Sequence, residues 1–269
     1  MTVPDINLAN IRLYYEEHGR GAPILCIHGT SSSALVWGGA VDELARLGRV
    51  IVYDRRGCTR SQRPDPYLTT SVPEHADDAA ALLDALQATP AVVIGRSYGG
   101  EVAIDLVLRY PDRVRALVLL EAAILSLSPG AQKYHDDLHA RLKATAAESV
   151  DTVAEVFLRN VAGDAAWEQF PDAAKRMFAA NSPAILAEFE GGPLRIGLNA
   201  LATIRKPALL VASSDSPPAF REVTNAMAAA TRNWRTVLVG GGHLITPAEP
   251  AVLAFVKEVL TAEAAGSES

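Results

Sequence analysis

Short runs of continuous apolar residues alternate along this chain with longer segments of helical period. The apolar runs are PILCI (23–27), VIVY (50–53), AVVIG (91–95), RALVLL (115–120), ALLVA (208–212) and TVLV (236–239). Each is four to six residues long, bounded by turn residues and rich in β-branched side chains, as expected of strands buried on both faces. Between them, ALVWGGAVDELARLG, SVPEHADDAAALLDALQA, SYGGEVAIDLVLRYP, a segment over 218–231 and PAVLAFVKEVLTAE carry apolar residues at helical spacing. Ser71 stands where an N-cap would, with Pro73 in the first turn. INLANIRLYYEEHG reads as two edge strands around an Asn/Ala turn. The alternation predicts an α/β fold, with a mostly parallel sheet covered by helices on both faces.

The alternation lapses between 126 and 199, where helical segments are broken at LSPG, VAGD, NSP and EGGP with no buried strand among them. This predicts a core domain over 1–124 and 200–263, a helical cap inserted over 125–199, and a disordered tail over 264–269. The chain is 269 residues long and 49% hydrophobic, enough for a large core without disulfides or metal. Acidic and basic residues (31 against 25) are interspersed without a basic stripe, which argues against a nucleic-acid partner. Two cysteines, Cys26 and Cys58, suit a reducing compartment. No signal peptide and no run of about 20 apolar residues is seen. The expectation is a soluble cytoplasmic protein without membrane association. The sequence leaves its oligomeric state open.

Chemistry concentrates at the ends of the predicted strands. GRSYGG follows AVVIG and opens a helix, placing Gly95, Ser97 and Gly99 in a G-x-S-x-G nucleophile elbow. HGTSSS follows PILCI. Its backbone can approach the serine, so the N–H groups of Thr30 and Tyr98 are candidates for an oxyanion hole. GGGH after the last strand presents His243, a candidate base for a serine hydroxyl that is weakly nucleophilic at neutral pH. The competing readings are a glycine-rich turn at Ser97, a strand-to-loop turn at His28-Gly29 and a structural His243. His135 and His139 are spaced i, i+4, but lack the glutamate of H-E-x-x-H and an evident third ligand, so no metal site is assigned.

HGTSSS, YDRRGCTRS, GRSYGG, YPDRVRALVLL and GGGH, spread over nearly the whole length, resemble the α/β-hydrolase-fold enzymes that carry a helical cap. The resemblance implies an eight-stranded, mostly parallel sheet and a serine hydrolase without cofactor. A serine nucleophile, rather than aspartate, sets the chain apart from dehalogenases and epoxide hydrolases of that fold. Thr59 stands where the family pattern has glycine, and Asp54 and Arg56 are expected to hold that loop together.

The triad acid is open between two residues. In most relatives it is an aspartate in a pattern like P-x-L-x-V-x-G-x-x-D after the strand that follows the cap. Counted from Pro207, Ser213 falls at the glycine and Ser216 at the acid, with Asp215 one residue early. Glu121 directly follows RALVLL, a place used for the acid in zearalenone-type lactonases, which also lack the later aspartate. Glu121 is the favoured acid and Asp215 the alternative, which otherwise reads as a turn or capping residue.

Together these expectations describe a carboxylesterase or lactonase acting on a small-molecule ester or lactone. Ser97 is its nucleophile, His243 its base and Glu121 its orienting acid. His28, Trp37 and Leu244 are candidate pocket residues, and Phe157, Trp167, Phe170 and Phe178 candidate cap contacts. Two other readings stay in view: a non-hydrolytic protein of this fold that binds a small molecule, and a C–C bond hydrolase or perhydrolase using the same triad.

Overall fold

A computed structural model describes residues 5–266, with side chains up to residue 262. Eight strands form one sheet in the order β1-β2-β4-β3-β5-β6-β7-β8. They are β1 (Asp5–Asn7), β2 (Arg12–His18), β3 (Pro23–Ile27), β4 (Arg49–Tyr53), β5 (Ala91–Arg96), β6 (Val114–Leu120), β7 (Ala208–Ser213) and β8 (Arg235–Val239). β1 and β2 are antiparallel to their neighbours, and every pairing from β4 to β8 is parallel.

The continuous apolar runs still alternate faces. Leu25 and Ile27 of β3, Val93 of β5, Leu117 and Leu119 of β6 and Leu210 of β7 pack into one cluster. Ile24, Cys26, Val92, Ile94, Val118, Leu120, Leu209 and Val211 pack into a second cluster on the other face. Helices α2 (Val72–Ala85), α3 (Tyr98–Arg109) and α10 (Pro218–Ala230) cover the first face. Helices α1 (Ala40–Ala45) and α11 (Pro250–Gly266) cover the second. The α2 start has a full capping box, with Ser71 and Glu74 reciprocally bonded.

Between β6 and β7 run α4 (Pro129–Glu148), α5 (Val153–Ala162), α6 (Asp164–Gln169), α7 (Asp172–Ala180), α8 (Ser182–Gly191) and α9 (Leu198–Leu201). They stand over the carboxyl ends of the parallel strands, and Phe157, Trp167, Phe178 and Phe189 are buried in the first cluster.

Three local expectations are corrected. The helix expected over ALVWGGAVDELARLG is a 3₁₀ turn at Ala34–Trp37 followed by the short α1, because Gly38 takes φ 40° and ψ −133°, which no helix admits. Helix α11 runs to Gly266, into the stretch read as a disordered tail; 267–269 lie outside the described residues. Asp215 does not cap α10, whose N-cap is Pro217 without a side-chain bond.

Candidate active site

Ser97 sits at the turn from β5 into α3 with φ 53° and ψ −120°. A non-glycine residue held there costs on the order of 1–3 kcal/mol and persists only where its surroundings enforce it. The Ser97 N–H donates to Leu120 O at 3.0 Å, and its carbonyl accepts from Gly100 N–H at 2.8 Å and Ala123 N–H at 3.1 Å. The elbow is too crowded for side chains at its flanks. A Cβ on Gly95 would lie 2.4 Å from Gly99 O, and one on Gly99 would lie 2.1 Å from Ile27 O. Here the glycines answer to space rather than to backbone angle.

The backbone after β3 comes up beside the serine: a Cβ on Gly29 would be 3.1 Å from Ser97 Cβ. The N–H groups of Thr30 and Tyr98 have no hydrogen-bond acceptor among the described residues. Tyr98 is the first residue of α3, so its N–H is one that a helix leaves unsatisfied.

Glu121 follows β6 with φ 46° and is fully buried. That backbone turn departs from the strand's alternation and carries the carboxylate across the ends of β6 and β7. Its Oε1 accepts from Ser213 N–H at 2.8 Å. Its Oε2 accepts from Ser216 Oγ at 2.6 Å and lies 2.8 Å from His243 Nδ1. A carboxylate oxygen flanked by these donors can only accept, so the imidazole proton lies on Nδ1 and Nε2 keeps its lone pair. Nε2 is buried and has no hydrogen-bond partner among the described residues. Phe220 of α10 stacks on the His243 ring at 3.9 Å and 27°, fixing its plane.

Asp215 is exposed and faces elsewhere. Its Oδ2 accepts from Gly241 N–H at 2.9 Å and its Oδ1 from Ser214 Oγ at 3.1 Å. It braces the turn before His243 without touching the ring. Ser216, at the position where a later acid would be counted, donates to Glu121 instead.

The cavity above Ser97 has two lobes. The first, about 450 Å³, is lined by Tyr98, Glu101, Tyr134, His135, Phe189 and Phe220, among others. The second, about 490 Å³, includes Val36, Leu158, Phe170, Phe178, His243 and Leu244. Thr30, Ser97, Phe157 and Val161 border both.

Of the candidate pocket residues, Leu244 lines the second lobe, whereas His28 and Trp37 line neither. His28 is fully buried, its Nε2 accepts from Arg55 N–H at 2.9 Å, and its Nδ1 is 2.8 Å from Gly29 O. Burial first, and then the Arg55 cation, hold it well below the ordinary histidine range, so it is a neutral strut. Trp37 is buried with the Arg96 guanidinium 4.8 Å from its ring centre, because the 3₁₀ turn directs it into the second core cluster. Among the cap aromatics, Phe157, Phe170 and Phe178 border the cavity and Trp167 does not. His135 packs on Phe189 at 5.1 Å, and among the described residues no group of three or more His, Cys, Asp or Glu could hold a metal ion.

Sequence reasoning missed a buried link between α8 and the loops that follow β3 and β4. Glu188 of α8 accepts from Arg55 Nη2 at 2.7 Å through Oε1 and from Thr30 Oγ1 at 2.6 Å through Oε2. Arg55 also donates to the carbonyls of His28 and Gly29. No spacing rule points to Glu188; its only mark is an acid within the apolar run AILAEF. Thr59 does lie at a glycine-favoured φ of 43°, held by Asn181 Oδ1 accepting from its N–H at 2.8 Å. Asp54 bonds Arg60 and Ala34 N–H, and Arg56 pairs with Asp78, so both do brace this loop.

The profile of the Alpha/beta hydrolase family matches residues 24–254. The chain belongs to the alpha/beta hydrolase family. It is 37% identical over 126 residues to 2-hydroxymuconate semialdehyde hydrolase of Pseudomonas sp. strain CF600, a match covering 45% of this chain and 44% of that one. The chain thus spans less than half the length of that curated relative. A hydrolase of Pseudomonas aeruginosa PA01 superposes with a TM-score of 0.78 at 26% identity over 97% of both chains. A thermophilic esterase of Thermogutta terrifontis does so with a TM-score of 0.76 at 24% identity, again over 97% of both. Among the described residues of this family member, no helix is long and apolar enough to cross a membrane.

Proposed function

We propose that this α/β-hydrolase is a serine hydrolase that cleaves a carboxylic ester or lactone through an acyl-enzyme, using only its own side chains and backbone. Ser97 Oγ attacks the carbonyl carbon while His243 Nε2 takes its proton. The Thr30 and Tyr98 N–H groups receive the developing oxyanion, each contributing about 2.7–4 kcal/mol to the transition state. Glu121 holds the Nδ1–H tautomer and stabilises the imidazolium. Collapse of the tetrahedral intermediate expels the alcohol, which takes the proton from His243. Water, deprotonated by the same nitrogen, then frees the acid.

The observation that carries this reading is the buried Glu121–His243 contact at 2.8 Å, with the opposite imidazole nitrogen unpartnered among the described residues and Ser97 and His243 bordering one cavity. A protein that only bound a small molecule would have no use for a tautomer held in this way. The test is labelling by a fluorophosphonate probe together with turnover of p-nitrophenyl pentanoate. Wild type should label and turn over, and Ser97→Ala should do neither. A wild-type protein that neither labels nor turns over would return the binding-protein reading to the front.

A further inference from the structure

Most polar groups that border the first lobe are engaged; the Tyr98 hydroxyl, buried without a hydrogen-bond partner among the described residues, is an exception. Glu188 has a partner on each oxygen, Arg55 and Thr30. The Tyr134 hydroxyl donates to Asn160 Oδ1 at 2.5 Å, and His135 Nδ1 lies 3.2 Å from Asp136 Oδ1. Glu101 differs. It is 2% exposed, its Oε2 accepts from Leu194 N–H at 2.5 Å, and its Oε1 has no partner among the described residues. No described Lys, Arg or His forms an ion pair with it.

The two lobes also differ in their relation to the base. His243 and Leu244 line only the second. The imidazole must face the oxygen that it protonates on departure, so the leaving alcohol belongs in the second lobe and the acyl part in the first. Glu101 lies one helical turn beyond Ser97 on α3, about 6 Å along the axis.

We propose that Glu101 Oε1 is the polar anchor of the acyl lobe, selecting substrates whose acyl chain carries a neutral oxygen acceptor, a keto or hydroxyl oxygen, at about its fourth or fifth carbon. This rests on the ester-hydrolase reading above. Burial first, and the nearby Glu188 charge as well, push the Glu101 carboxyl well above the usual carboxylate range. In the proposed role it acts as the protonated carboxyl. With Oε2 occupied as an acceptor by the Leu194 N–H, the proton is carried on Oε1. A buried O–H without an acceptor carries a desolvation cost that a substrate oxygen would relieve. A substrate carboxylate at that point would meet Glu188 across the lobe, and an ammonium would find no charge on Glu101, so the site favours a neutral group.

The experiment compares kcat/KM for p-nitrophenyl 4-oxopentanoate and p-nitrophenyl pentanoate, each divided by its rate of hydroxide hydrolysis. Wild type should prefer the oxo ester by about ten-fold or more, the value of one hydrogen bond in a dry site. Glu101→Met should bring the corrected ratio close to one. Glu101→Gln, which keeps an acceptor for Leu194 N–H and offers an N–H to the lobe, should retain most of the preference. Should Glu101→Met be insoluble, Glu101→Asp withdraws the carboxyl by one methylene and should give the same collapse. If Glu101 merely held the 192–194 loop in place, its variants would slow both esters alike and leave the ratio unchanged. A wild-type ratio near one, or a ratio that survives Glu101→Met, overturns the assignment while leaving the hydrolase reading intact. Turnover of neither ester by wild type overturns both.

Discussion

Replacing Glu121 by glutamine leaves shape and volume almost unchanged, yet the surroundings dictate a specific failure. The amide has one oxygen where the carboxylate had two. Ser213 N–H, 2.8 Å from Oε1, is a backbone donor that cannot turn away, so it captures the amide oxygen. The NH₂ then occupies the Oε2 position, facing Ser216 Oγ and His243 Nδ1. Ser216 can rotate to accept. His243 can accept only by moving its proton to Nε2, which removes the lone pair that Ser97 needs. Loss of the correct tautomer in a serine triad lowers kcat by about 10⁴, or about 5.4 kcal/mol of activation free energy. Asp215→Asn weakens only the bonds from Gly241 N–H and Ser214 Oγ at an exposed turn. It should cost about 0.5–1.5 kcal/mol of stability and less than ten-fold in kcat. The assay is steady-state kinetics of both variants on p-nitrophenyl pentanoate, with far-ultraviolet circular dichroism to establish folding. A folded Glu121→Gln protein retaining a tenth of wild-type kcat, or an Asp215→Asn protein that loses as much as Glu121→Gln, would refute the reasoning.

Two further outcomes follow from buried charge. Glu188→Ala strands the Arg55 guanidinium, whose side chain is 0% exposed, and should destabilise the fold by about 3–5 kcal/mol, whereas Arg55→Met with Glu188→Leu should recover most of that loss; urea denaturation measures both. His75, like His28, is fully buried and held well below 6.5 by burial first and Arg55 next. The folded state therefore binds fewer protons than the unfolded one below about pH 6.5, and stability is lost as pH falls. Between pH 7 and 5.5 wild type should lose about 1.3 kcal/mol more than His75→Gln.

Much of the fold was legible because the parallel strands are short apolar runs and turn residues punctuate them. The helix misread over 34–47 shows where pattern alone fails: Val36, Trp37, Val41 and Leu44 keep an apolar spacing through two glycines that break the helix. Ser97 and His243 were visible as motifs because the elbow and the GGGH loop demand glycines at set positions. The choice between Glu121 and Asp215 was not decidable from spacing, since both lie at strand ends near the same edge. What separates them physically is the Glu121 backbone at φ 46° and the donors from Ser213 and Ser216, which no linear pattern records. Glu188 and Glu101 were invisible for a related reason: each is an acid in an apolar stretch of helix, and its partners are 133, 158 and 93 residues away in sequence.

The clasp between Arg55, Glu188 and Thr30 pins α8 to the loops that follow β3 and β4. Pulling α8 outward would strip a carboxylate from a guanidinium that stays in the core, at about 3 kcal/mol or more, so that such an open form would make up less than roughly one molecule in a hundred. It would also release the hydroxyl of Thr30, whose N–H sits at the cavity wall. On the far side, where Phe170 after α6 meets Phe178 of α7, no buried ion pair is present among the described residues, so the helices there would part at a lower cost.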